Sequence, residues 1–141
     1  MLKVVPDVNV WVSSLLQPRG HSARIYRAWR QNELEVVTSW IIIHKIVEVV
    51  YRPHIWNKYP IGENTISSLR QTIVEEATIT PQELDLNIVE EDPEDNTIII
   101  AAVEGAANAI ISGDPHLLQL QSYQDIPILS PAAFVEQYKI P

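Results

Sequence analysis

Four acidic residues stand at positions where a carboxylate could do chemistry: Asp7, Glu48, Asp95 and Asp114. Asp7 directly follows the apolar run LKVVP (2–6), and Asp114 follows AIISG. In open parallel sheets, reactive groups gather beyond the carboxyl ends of the strands, so two such residues would share one edge. An aspartate in either place alone is more often a turn or helix-cap residue, and the pairing is what raises the chemical reading. Asp95 closes the most acidic stretch, EEDPEDN (90–96), just before the helical run IIIAAVEGAANA. At that helix start it could face the strand ends. Capping and solvation account for Glu90, Glu91, Asp92 and Glu94. Glu48 lies within IIIHKIVEVV, where the apolar surroundings predict at least partial burial. Its alternative role is a surface pair with Lys45 at i−3 and Arg52 at i+4. His44 is one turn away from Glu48 and reads as a packed or solvated residue.

Four carboxylates drawn together repel one another and need a cation between them. With only oxygen donors, a hard divalent ion such as Mg²⁺ or Mn²⁺ suits the set. Such ions can activate water and stabilise a leaving oxygen in phosphodiester hydrolysis without a protein nucleophile.

The elements that must position these residues follow from hydrophobic periodicity. LKVVP (2–6), ELEVVT (33–38), NAIIS (108–112) and IPIL (126–129) read as strands, with helical patterns between them. A further strand falls near 76–80 or 86–89. This alternation predicts an α/β fold with a central parallel sheet and helices on both faces, a three-layer α/β/α sandwich. Residues 39–53 are β-branched, yet positions 42, 43, 46, 47, 49 and 50 form a helical stripe that Pro53 should end. Ser130-Pro131 has the form of an N-cap followed by proline at the first helical position.

At 141 residues with 46% hydrophobic content, the chain fits one domain over 1–141, without repeats or linkers. The absence of cysteine excludes disulfides, cysteine-ligated zinc and thiol catalysis. The N-terminus has no leader pattern and no stretch is apolar enough to span a bilayer, so a cytoplasmic, membrane-free protein is expected. The net charge of −8 is unevenly divided. Residues 1–74 carry nine Lys/Arg and five Asp/Glu, a balance of +4, and residues 75–141 carry one and thirteen, a balance of −12. Either an acidic solvated face or a basic binding surface beside an acidic metal pocket would give this division. Arg24, Arg27 and Arg30 recur at helical spacing and could present a phosphate-binding stripe, or a solvated face. Trp11, Trp29, Trp40 and Trp56 could stack bases, though core packing is the commoner use of such residues.

The elements VVPDVNVWVSSLL (4–16), IVEVVYRP (46–53), DPEDNTIIIAAVEGAANAIISGDPHLL (92–118) and ILSPAAFV (128–135) together resemble those of PIN domains, in that order. The resemblance implies a parallel α/β/α sandwich and a Mg²⁺- or Mn²⁺-dependent ribonuclease with Asp7, Glu48, Asp95 and Asp114 as the acidic quartet. Asn9 and Ser112 match the family's supporting polar positions. Many similar single-domain members are VapC-type toxins, which implies an RNA substrate, an antitoxin partner and a homodimer. Two positions depart from the pattern: His116 replaces an additional acid, leaving the number of ions open, and Val8 replaces a small hydroxyl residue. A PIN-like RNA-binding or regulatory module that does not cut is the alternative. A phosphatase or phospho-receiver is disfavoured, because position 9 is Asn and Lys139 is the only late lysine.

Overall fold

The computed structural model describes all residues 1–141. In chain order the elements are β1 (Lys3–Pro6), α1 (Val8–Leu16), α2 (His21–Arg30), β2 (Glu35–Ser39), α3 (Trp40–Val50), α4 (Pro53–Trp56), α5 (Glu63–Glu76), β3 (Thr78–Thr80), α6 (Asp95–Glu104), β4 (Ala109–Ile111), α7 (Pro115–Leu120), β5 (Ser122–Tyr123), β6 (Ile126–Leu129) and α8 (Pro131–Tyr138). The strands form one sheet in the order β3-β2-β1-β4-β6-β5. All pairings are parallel except β5 with β6. That short antiparallel edge was not expected from the sequence. Two residues are too few for a periodic signal, and the β5–β6 turn uses Gln124 and Asp125 at positive φ rather than a glycine. Of the two positions for an extra strand, 78–80 is realised, and 86–89 is irregular.

Val4 and Val5 point to opposite faces of β1, and both are completely buried, as a central strand covered by helices requires. Helix α6 packs across β1, β2 and β4, while α1 packs on β1 and carries α2 and α3. The result is the three-layer sandwich expected. Its core of 34 buried residues joins both faces, with Ile99, Ile110, Ile111, Leu117 and Phe134 among its largest fully buried side chains. No helix is long and apolar enough to cross a membrane.

The 39–53 segment is a helix, and its buried positions Ile42, Ile43, Ile46, Val49 and Val50 follow the 3.6-residue period. Pro53 does end α3, and also starts α4 as its first residue. At α8 the Ser130 hydroxyl accepts from the Ala133 amide at 3.1 Å, with Pro131 at the first helical position. The chain steps from β1 outward to β2 and β3, then returns to place β4 on the other side of β1. The crevice beyond the carboxyl ends of β1 and β4 is therefore the switch point at which ligands bind in such sheets.

Candidate metal centre

Asp7 leaves β1 at this switch point, and its backbone amide donates to the Ile111 carbonyl of β4 at 2.9 Å. One carboxylate oxygen caps α1 by accepting from the Val10 amide at 2.9 Å. The other accepts from the Ser112 hydroxyl. The Ser112 Oγ in turn accepts from the Asp114 amide at 2.9 Å, so one fully buried serine ties the ends of both strands together. Burial drives the Asp7 pKa above the ordinary value, and the Asp114 charge adds to the rise. The Ser112 hydroxyl and the Val10 and Asn9 amides oppose it.

Asp114 caps α7, where Oδ1 accepts from the His116 amide at 2.7 Å. Asp95 is the first residue of α6, with 8% of its surface exposed. Its Oδ2 is buried without a hydrogen-bond partner. Burial, followed by the charges of Asp114, Asp92 and Asp7 and by a hydrogen bond that the protonated carboxyl can share with Asp114, pushes its pKa to about 7. Buried polar atoms are nearly always hydrogen-bonded, and an orphaned carboxylate oxygen among like charges marks a place prepared for a cation.

Two further residues stand with Asp95 and Asp114 in a tighter set, which Asp7 adjoins without being part of it. Donor atoms of Asp92, Asp95, Asp114 and His116 all lie within 4.8 Å of one another. From the sequence Asp92 reads as part of a solvated loop, and the reason it is not lies in how the loop is held. The buried Asn96 side chain accepts from the Ile88 and Val89 amides at 2.8 and 2.9 Å. Its own amide donates to the Val89 carbonyl at 3.3 Å. Farther back, the Glu104 carboxylate accepts from the Gln82, Glu83 and Leu84 amides. These clips fix an irregular strand-to-helix connection whose end presents Asp92 beside Asp95. The polar Asn at the second position of the helix was the one sequence signal of this.

Glu48 is brought to the same cavity, of about 520 Å³, but not to the cluster. Its side chain is 61% exposed, so the expected burial is corrected. The stripe of α3 that faces the core passes through positions 42, 46 and 49, leaving 48 on the outer side. There it takes up the alternative, accepting from Lys45 at 3.3 Å and Arg52 at 3.4 Å. Lys45 foremost, and then Arg52, hold the Glu48 carboxyl below its ordinary pKa. Lys45 also donates to Glu94 at 3.0 Å, bridging α3 to the acidic loop across the cavity. Asn9 lines the cavity, and its side chain makes no hydrogen bond to the cluster.

The arginine stripe lies elsewhere. Arg24 donates to the Ile140 carbonyl and Arg27 to the Pro18 carbonyl, each at 2.9 Å, and Arg30 stacks on Trp29. None of the three lines the acidic cavity. Helix α2 packs between α1 and α8, and Arg24 and Arg27 fasten the C-terminal segment and the α1–α2 loop to it. Trp11 and Trp29 are core residues, whereas Trp40 is 45% exposed on the cavity wall.

The donor set therefore fits a hard divalent cation: carboxylates with raised proton affinity, one unpartnered buried oxygen, and an imidazole within reach. Comparison with known proteins bears on this geometry. A family model described as PIN domain matches residues 3–116, from the start of β1 through Asp114 and His116. Across 146 aligned positions the chain is 27% identical to the uncharacterized protein MJ1680 of Methanocaldococcus jannaschii, covering 98% of this chain and 92% of that one. The chain belongs to the PIN domain family, whose members are generally metal-dependent nucleases.

Proposed function

We propose that this protein is a Mg²⁺- or Mn²⁺-dependent endoribonuclease whose centre uses Asp7, Asp95 and Asp114, with Glu48 on the facing wall. The observation that carries the reading is the convergence of buried carboxylates at the β1/β4 switch point, with the Asp95 oxygen left unpartnered. A bound divalent ion supplies positive charge toward a phosphodiester and makes an attacking water more acidic. The protein does the positioning. Ser112 holds Asp7 and Asp114 in fixed relation, and Asn96 holds the loop that delivers Asp92 and Asp95. Lys45 and Arg52 line the same cavity and can meet the phosphates of an incoming strand, while exposed Trp40 offers a ring for a base.

Incubation of the purified protein with a single-stranded RNA under Mn²⁺ titration is the direct test. Metal-dependent products are expected, and Asp7→Asn or Asp95→Asn should reduce cleavage at least about hundredfold. RNA retained by Mn²⁺-saturated protein without any product would instead establish the second reading, a non-cleaving RNA-binding module. The ion pairs that occupy Glu48 favour that alternative. The biological role we propose is the toxin of a toxin–antitoxin pair, acting as a cytoplasmic homodimer. It rests on likeness to VapC-type proteins alone. Growth arrest on induction, relieved by a partner encoded beside the gene, is the expected result.

A further inference from the structure

We propose that the metal centre has a mixed donor set in which His116 and Asp92 ligate alongside Asp95 and Asp114, so that it selects Mn²⁺ over Mg²⁺. The inference rests on the metal-dependent reading above and adds a ligand and a preference to it.

Three observations carry it. First, the donor atoms of these four residues lie within 4.8 Å of one another. With bonds of about 2.1 Å to one octahedral ion, pairs of donors stand about 3 to 4.2 Å apart, so small side-chain rotations close the set. Second, Asp95, a member of this group, is more than nine-tenths buried, and its Oδ2 has no hydrogen-bond partner. Third, the His116 ring is at the open side of the group. Its side chain is 45% exposed, and Nδ1 stands 3.8 Å from the Asp114 Oδ1. That separation is too long for a hydrogen bond, so the Asp114 carboxylate does not tie the imidazole down.

Glu48, by contrast, stands outside the group, engaged by two cations. The place of a fourth oxygen ligand is thus taken by nitrogen. Ligand chemistry then decides the ion. Mg²⁺ favours oxygen and retains its waters, whereas imidazole is a good donor to transition ions and binds Mn²⁺ better than Mg²⁺.

The test uses metal-free full-length protein titrated with MnCl₂ or MgCl₂ by calorimetry, together with electron spin echo envelope modulation of the Mn²⁺-loaded form. Wild type should show nitrogen-14 modulation. In His116→Ala the modulation should vanish, Mn²⁺ affinity should fall by at least about tenfold, and Mg²⁺ affinity should change by less than about threefold. His116→Asp should retain Mn²⁺ and gain Mg²⁺ affinity, narrowing the preference. His44 also lines the cavity, so His44→Ala is the control that must keep the nitrogen signal. Position 116 is exposed, and a circular dichroism melt confirms that each variant folds. Mn²⁺ binding without nitrogen modulation in wild type, or modulation that disappears with His44→Ala, overturns the mixed donor set and leaves the metal-dependent reading standing. Absence of any Mn²⁺ binding overturns both.

Discussion

Asp95 enters the fold with its carboxyl out of water and one oxygen without a partner, and this sets how the metal-free protein responds to pH. Its pKa is about 7 in the folded state against an ordinary 3.8, so the folded protein holds the proton more tightly than the unfolded chain. The contribution of Asp95 to stability is therefore greatest in acid, falls as pH rises from the ordinary carboxylate range toward 7, and levels off above. Raised Asp7 acts in the same direction. Urea titrations of metal-free protein at pH 5 and pH 8 should show the lower midpoint at pH 8. Asp95→Asn should raise the pH 8 midpoint and leave the pH 5 value nearly unchanged. Ser112→Ala tests the other feature of this scale. It removes the hydroxyl that both strand ends share, and should weaken metal binding by about 10- to 100-fold without abolishing the fold.

At the scale of elements, the parts legible in sequence were those set by short-range patterns. Four apolar runs became strands, and the stripe at 42, 43, 46, 49 and 50 overrode the β-branched composition of α3. Asp7, Asp95 and Asp114 could be singled out because a strand end or helix start marks where a side chain emerges. The same logic cannot tell which side of a helix faces a cavity, so the apolar surroundings of Glu48 predict partial burial while its i−3 and i+4 partners hold it outside. Nor can it find Asp92, whose place depends on Asn96 gripping two amides seven and eight residues away. Asn96→Ala should orphan those amides, increase protease cutting between residues 85 and 94, and lower metal affinity. A second close fit is visible where α6 ends. A Cβ at Gly105 would meet the Val37 Cγ1 of β2 at 2.4 Å. Gly105→Ala should thus destabilise the protein by about 1–3 kcal/mol, read by chemical denaturation.

At the scale of the whole molecule, the division of charge along the chain becomes a division of space. The acidic second half supplies Asp92, Asp95 and Asp114, and the basic first half faces them with Lys45 on α3 and Arg52 at the start of α4. Two cations of the first half, Lys45 and Arg52, line the acidic cavity, and the arginines of α2 do not. For single-stranded RNA bound to an Asp7→Asn background, the double substitution Lys45→Gln with Arg52→Gln should lower the slope of log affinity against log salt by about 1.4. The melting temperature should barely move, because both cations are in exposed pairs. Loading with the divalent ion acts on the entire fold. At a hundred times its dissociation constant it adds about 2.7 kcal/mol to stability, which a chelator should remove.

The strand order has one more consequence, for the timing of biosynthesis. Asp7 is made about a hundred residues before β4, its neighbour in the sheet, and Ser112 and Asp114 lie beyond that strand. A nascent polypeptide that has not yet released residue 114 from the ribosome lacks half the cluster, however well its first strands have formed. Translation products truncated before β4 should consequently be inert toward metal, since the strand ends that position the cluster meet only once β4 and the residues after it have been made.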